Sequence, residues 1–133
     1  LRMSRGLGDV YKRQLLKDWA VFYNNLMSEL NYQRSMNLGR AYLKSYDKDS
    51  VLTQVIGTVL AAKNPLEAEK ILLDYEFENL DSLVGLHTFD DVYLFGYAVK
   101  LKLLERQNCF VQEKGKKEFK RLFDQVQQRV YQL

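Results

Sequence analysis

A chain of 133 residues is the size of one domain, or of a piece of a larger one. Its 47% hydrophobic residues suffice for a core, and 28% charged residues with a formal charge of +3 are ordinary for a protein in water. A single cysteine, Cys109, excludes an internal disulfide and a multi-cysteine zinc site and suits a reducing compartment; one proline and seven glycines favour long helices over a series of tight hairpins.

The opening "LRMSRGLGDVYKRQ" has two glycines, four basic residues and one acid, with neither an apolar period nor the apolar run of a signal peptide. It resembles a sequencing-library adaptor translated in frame, so residues 1–14 read as a non-native or disordered extension and 15–133 as a single helical domain. Without Arg2, Arg5, Lys12, Arg13 and Asp9 the chain has 16 basic and 16 acidic residues. The excess positive charge therefore lies in the extension and gives no support to nucleic-acid binding.

Leu15, Trp19, Phe22, Leu26 and Leu30 recur at helical spacing and form one face of a first helix, with Asp18, Asn24, Asn25, Ser28 and Glu29 mostly off that face. The helix is free to continue through "LNYQRSMNLGRAYLKSY", weakened at Gly39. "DKDS" at 47–50 is a break, with Asp49 or Ser50 capping a second helix over "VLTQVIGTVLAAK". Asn64 is a good N-cap, Pro65 fits the first position of a third helix, and Glu67 and Glu69 follow where the helix dipole favours anions. "EFENLDSLVGL" reads as a separate short helix stopped near Gly85.

In "HTFDDVYLFGYAVKLKLLER", residues 87–106, Thr88 and Asp91 have the spacing of a capping box, and Phe89 is placed to pack back on the first turn. From Val92 to Leu104 nearly every residue is apolar, which predicts a helix buried on most sides but too short to cross a bilayer. The final helix, "KKEFKRLFDQVQQRVYQL", carries Phe119, Leu122, Phe123, Val126 and Val130 on one stripe. A turn around Gly115 would fold it back on its predecessor as an antiparallel pair. No stretch alternates with period two over a strand's length, so the predicted fold is an all-α antiparallel helical bundle.

His87, the only histidine, with Asp90 and Asp91 is the one constellation that suggests a metal-dependent enzyme. Helix starts routinely collect acids, however, and a metal site would need ligands from other elements, so capping is the preferred reading. Cys109 has no histidine near it in sequence and reads as a small buried hydrophobe. No Walker-type loop, GxGxxG, GxSxG or HExxH occurs. The residues thus predict no catalytic, cofactor-binding or metal site. Charge is unevenly placed: residues 67–91 hold eight acids and one lysine, whereas 100–121 hold eight basic residues and three acids. Opposed fields of this kind fit a protein interface or a two-signed solvated surface.

From about Leu15 onward the chain resembles the C-terminal part of the C-type stalk proteins of bacterial V-type (A/V-type) rotary ATPases. More narrowly, it resembles an uncharacterised family carried in the ATPase operons of Bacteroidota. Three segments carry the likeness, in order: "LNYQRSMNLGRAYLKSYDKDSVL", "LHTFDDVYLFGYAVKLKLLER" and "EKGKKEFKRLF". They are similar to that family's Asn-x-x-Arg-Asn segment with its following break, its H-x-F helix ending in Glu-Arg, and its closing E-x-G…F-x-x-L helix. The chain departs from the pattern at Gln107 and at Ser35-Met36, and it has no counterpart of the family's N-terminal half, so the resemblance implies a C-terminal fragment of a larger helical protein.

The resemblance implies a non-catalytic part with no cofactor and no small-molecule substrate: a helical socket on the membrane rotor ring that receives the central shaft. It implies a cytoplasmic place, peripheral to the inner membrane through a protein complex, without a membrane span or nucleic acid. Asn31, Arg34 and Arg40 in the first segment either meet a partner or help fold the domain. Trp19, Asn64, Pro65, Thr88, Phe89 and Asp91 are expected to act as core and caps. A free-standing helical adaptor shares the same fold and differs only in its partners.

Overall fold

The first helix, α1 (Arg2–Asn37), runs for 36 residues, about 54 Å at 1.5 Å per residue. The computed structural model describes residues 2–40, 49–88 and 90–133, and of residues 2–9 the backbone alone. Leu15, Leu26 and Leu30 are buried on the inner face of α1, with Trp19 and Phe22 half-buried between them. Glu29, assigned by spacing to the polar side, is also fully buried. Residues 2–14, read from the sequence as a non-native or disordered extension, are helical and continuous with the rest of α1. Once a helix is nucleated, adding residues at its end costs little, and no proline interrupts this one.

Nor does α1 continue past Gly39. That glycine takes φ of 69°, in the left-handed region, and the chain closes in a Schellman arrangement. The Arg40 N–H donates to the Ser35 carbonyl at 2.8 Å and the Gly39 N–H to Met36 at 3.1 Å. The rest of the expected continuation, with the break at Asp47, lies outside the described residues.

Helix α2 (Ser50–Leu60) starts where the Asp49 carboxylate accepts the Val51 N–H at 2.9 Å and the Leu52 N–H at 3.5 Å. Helix α3 (Pro65–Val84) has Asn64 as N-cap, accepting the Glu67 N–H at 2.8 Å, while Glu67 reaches back to the Lys63 N–H at 3.2 Å. Pro65 occupies the first position, where its missing N–H costs nothing. The two helices expected between Asn64 and Gly85 are one. Residues 75–78 contain no breaker, and Leu72, Leu73, Glu76, Leu80 and Val84 keep a single inward period through the proposed junction. Gly85, with φ of 57°, ends α3.

Helix α4 (Asp91–Cys109) and helix α5 (Gln112–Tyr131) are separated at Phe110–Val111, so the turn expected around Gly115 falls earlier and Gly115 lies inside α5. Among the described residues there are five helices and no strand, and the architecture is all-α, an antiparallel helical bundle.

Two apolar clusters hold α1 to α4 together. Leu26 and Leu30 of α1, Leu52, Ile56 and Val59 of α2 and Leu72 of α3 form the first. Leu73, Leu80 and Val84 of α3 with Leu103 of α4 form the second, with Trp19, Phe77 and Val99 packed against it. Successive residues Leu72 and Leu73 thus face different clusters, which makes α3 the central helix. Each fully buried leucine contributes about 1.5–3 kcal/mol. Trp19 and Phe22 rings lie 5.2 Å apart, and Phe22 and Tyr75 5.6 Å apart, so an aromatic ladder on α1 links the clusters. At Gly96 a Cβ would sit 2.3 Å from Val84 Cγ2, so the glycine sets how closely α4 approaches α3. Lys100–Asp81 and Arg106–Glu69 ion pairs join the same two helices.

Helix α5 packs on no other helix and buries no residue. The antiparallel return expected from its stripe is therefore not formed. Nor is α4 buried on most sides: only Val92, Gly96 and Leu103 are buried along it.

Candidate functional site

His87 and its neighbouring acids form a cap. Asp90, not Thr88, is the N-cap of α4: its Oδ1 accepts the Tyr93 N–H at 2.9 Å, and its Oδ2 lies 2.6 Å from His87 Nδ1. The capping box expected from Thr88 to Asp91 is therefore not the one that starts α4, and Asp91 is instead an exposed acid of the first helical turn. Phe89 lies outside the described residues. The Asp90 carboxyl is held below the usual carboxylate range, first by the Tyr93 N–H and then by His87. The Tyr11 ring approaches the His87 ring at 5.7 Å. Among the described residues no group of three or more His, Cys, Asp or Glu side chains is placed to hold a metal ion.

Two buried carboxyl groups were not legible from spacing. Glu29 Oε1 accepts Gln33 Nε2 at 2.7 Å, and the same amide donates to the Thr53 carbonyl at 3.0 Å, which ties α1 to α2 through polar atoms. Glu76 is 6% exposed among α1, α3 and α4, and burial pushes its carboxyl up to about 6 against the opposing pull of Arg106. Arg106 Nε donates to Glu69 Oε1 at 2.5 Å, and Glu76 adds a second acid of α3 to the field around its charge. Spacing places Glu29 on the polar face of α1, whereas Glu76 lies on the inward period of α3, where its carboxyl and not its position is the exception.

Cys109 is exposed rather than buried, with its thiol 3.2 Å from the Glu105 carbonyl. It helps line an open cleft of about 650 Å³ with Pro65, Leu66, Glu69, Phe110 and Val111, where the start of α5 faces the start of α3. The lining is mainly apolar and gathers no converging set of donors or ionisable groups.

The largest chemical feature is what is left uncovered. On α4, Leu94, Tyr97, Leu101 and Leu104 recur at spacings of three, four and three, and all are exposed, Leu94 at 61%. On α5, Phe119, Leu122, Phe123, Val126 and Val130 form a second stripe, with Phe119 at 70% and its ring 6.2 Å from that of Phe123. Single exposed apolar residues need no explanation, but two ordered stripes on consecutive helices leave contiguous apolar surface uncovered by the described residues. Charged side chains are absent from the α4 stripe, as from the centres of protein interfaces.

Trp19 stands in the core beside the second cluster, and Asn64 and Pro65 start α3. Asn31 and Arg34 lie on the last turns of α1, both exposed, and Arg40 is exposed just beyond the end of that helix. They belong to a different element from the α4 and α5 stripes. Among the described residues no helix is long and apolar enough to cross a membrane. Comparison with protein-family models, with curated proteins and with solved structures finds no match to this chain.

Proposed function

We propose that this chain is a non-catalytic docking part of a larger protein assembly, of the C-type stalk kind in a bacterial V-type rotary ATPase. In that role it would sit between the rotor ring and the central shaft and transmit torque through a cytoplasmic complex at the inner membrane. The observation that carries the docking role is the pair of uncovered apolar stripes on α4 and α5. The rotary-ATPase assignment rests on the ordered likeness of three sequence segments. A rigid α1–α4 body, with α3 gripped on both sides, suits a part that passes force rather than one that rearranges around a substrate.

Co-expression with the V-type ATPase proteins encoded in the same genome tests the reading. The chain should co-purify with rotor-ring or central-shaft proteins, and Leu101→Asp should abolish that association without changing helix content. Recovery of the chain free of every such protein would refute the rotary-ATPase assignment.

A further inference from the structure

The charges around the two stripes are complementary. Lys100 pairs with Asp81 of α3 and lies one helical turn from Tyr97 and Leu104, so one edge of the α4 stripe abuts α3. A small pocket lined by Val84, Tyr93, Gly96, Tyr97 and Lys100 marks the same boundary. On α3, Lys70, Asp74, Glu78 and Asp81 recur at spacings of four, four and three, a row of three acids and one lysine in which Asp81 is the acid already paired with Lys100. On α5 the pattern inverts. Lys116 and Lys120 neighbour Phe119 and Phe123 on one edge of the stripe, and Lys114 and Lys117 add to the charge of the first turns. Among the described residues these four lysines have no ion-pair partner, whereas Arg121 is occupied by Glu118.

Lengths match as well. The 19 residues of α4 and the 20 of α5 each make a rod of about 30 Å. A basic amphipathic helix and an apolar face edged with acids therefore occur in one chain, yet α5 packs on no helix of its own copy. Two copies of α5 laid on each other would bring like charge together, which disfavours simple self-pairing of that helix.

We infer that a second copy of this chain covers these faces by exchange: α5 of each copy lies on α4 of the other, with its lysine edge along the acidic row of α3. The contact is isologous, so closure on a two-fold axis uses both stripes of both copies and leaves neither open. Lysines crowded at the positive end of α5 work against its dipole, and acids of the second copy relieve that. The exchange deepens the docking role by making a second copy the partner of the stripes, so that the dimer is the unit that would join a larger assembly. The rotary-ATPase assignment rests separately on the three sequence segments, and failure of the exchange would leave that assignment standing.

Sedimentation equilibrium of the full chain, at several concentrations and salt levels, tests the exchange. The expected mass is twice 15.7 kDa, with the dissociation constant rising at least several-fold as salt rises. Leu101→Asp and Phe123→Asp are both surface changes, and each alone should give a monomer with an unchanged far-ultraviolet circular dichroism spectrum. Mixing the two variants should restore a dimer, since the intact α5 of the first then meets the intact α4 of the second. A monomer at all concentrations would overturn the inference. So would a dimer lost in Phe123→Asp but kept in Leu101→Asp, which would mean pairing of α5 with α5. Co-sedimentation of a monomeric chain with phosphatidylserine vesicles would also overturn it and assign the stripe to a lipid surface.

Discussion

Replacing Gly96 with alanine sets two effects against each other at the α3–α4 contact. Alanine is the better helix former by about 1 kcal/mol, which favours the variant. Its Cβ would lie 2.3 Å from Val84 Cγ2, however, where carbon atoms normally rest about 3.5–4.0 Å apart. Val84 is buried and β-branched, so it cannot swing its methyl groups aside, and the helices must part. Overpacking of this kind costs about 1–3 kcal/mol. The net expectation is a loss of about 1 kcal/mol for Gly96→Ala, with overpacking outweighing propensity. In a Val84→Ala background the obstacle is gone, and the same substitution should stabilise by about 1 kcal/mol. Urea unfolding followed by circular dichroism at 222 nm, on the four members of the cycle, measures the coupling directly. A coupling below about 0.5 kcal/mol would show that the two residues do not meet as described.

Helix starts offer cleaner tests. Asn64→Ala removes the acceptor for the Glu67 N–H and should lower stability by about 1 kcal/mol, as should Asp49→Ala at α2, both read from urea midpoints. Asp90→Ala should destabilise the protein while Thr88→Ala leaves it nearly unchanged, and the reverse order would restore the rejected capping box. Glu76 gives a pH signature. Its folded pKa of about 6 exceeds the ordinary 4.5, so the folded state binds the proton more tightly. The penalty is absent below about pH 4.5, grows as pH rises between the two values, and is complete above about pH 6. With partial solvent access it amounts to about 1 kcal/mol, and Glu76→Gln should raise stability at pH 7 by that much while flattening the slope between pH 4.5 and 6. An unchanged slope in the Gln variant would rule out Glu76 as its source.

Local chemistry was the most legible part of this sequence. Asn64-Pro65 and Asp49 announce helix starts because their side chains act on backbone groups two or three residues away, and the spacing of Leu15 to Leu30 fixes a face of α1 without knowledge of what it meets. What escaped, apart from the cap of α4 taken by Asp90 in place of Thr88, was whatever depends on a second element. The junction expected inside α3 vanished because burial against its neighbours continues through residues 75–78. Glu29 and Glu76 lie inside through partners on other helices, Thr53 by way of Gln33 in one case and Arg106 in the other. The stripe on α5 is apolar as its spacing predicts, but an apolar face does not say which surface covers it. That ambiguity also hid the open side of α4, since an all-apolar run predicts burial and cannot tell cover by its own chain from cover by another.

The single tryptophan of the chain gives the bundle a built-in optical gauge. Trp19 rests against the cluster of α3 and α4 and touches Phe22, while the cluster around α2 holds no indole. Its emission wavelength therefore tracks chiefly the packing of the α3–α4 cluster, with the first cluster reached only through Phe22. Red-shifted emission ahead of any loss of helical signal would show the α3–α4 cluster melting first, and would expose a two-stage unfolding that ellipticity by itself would average away.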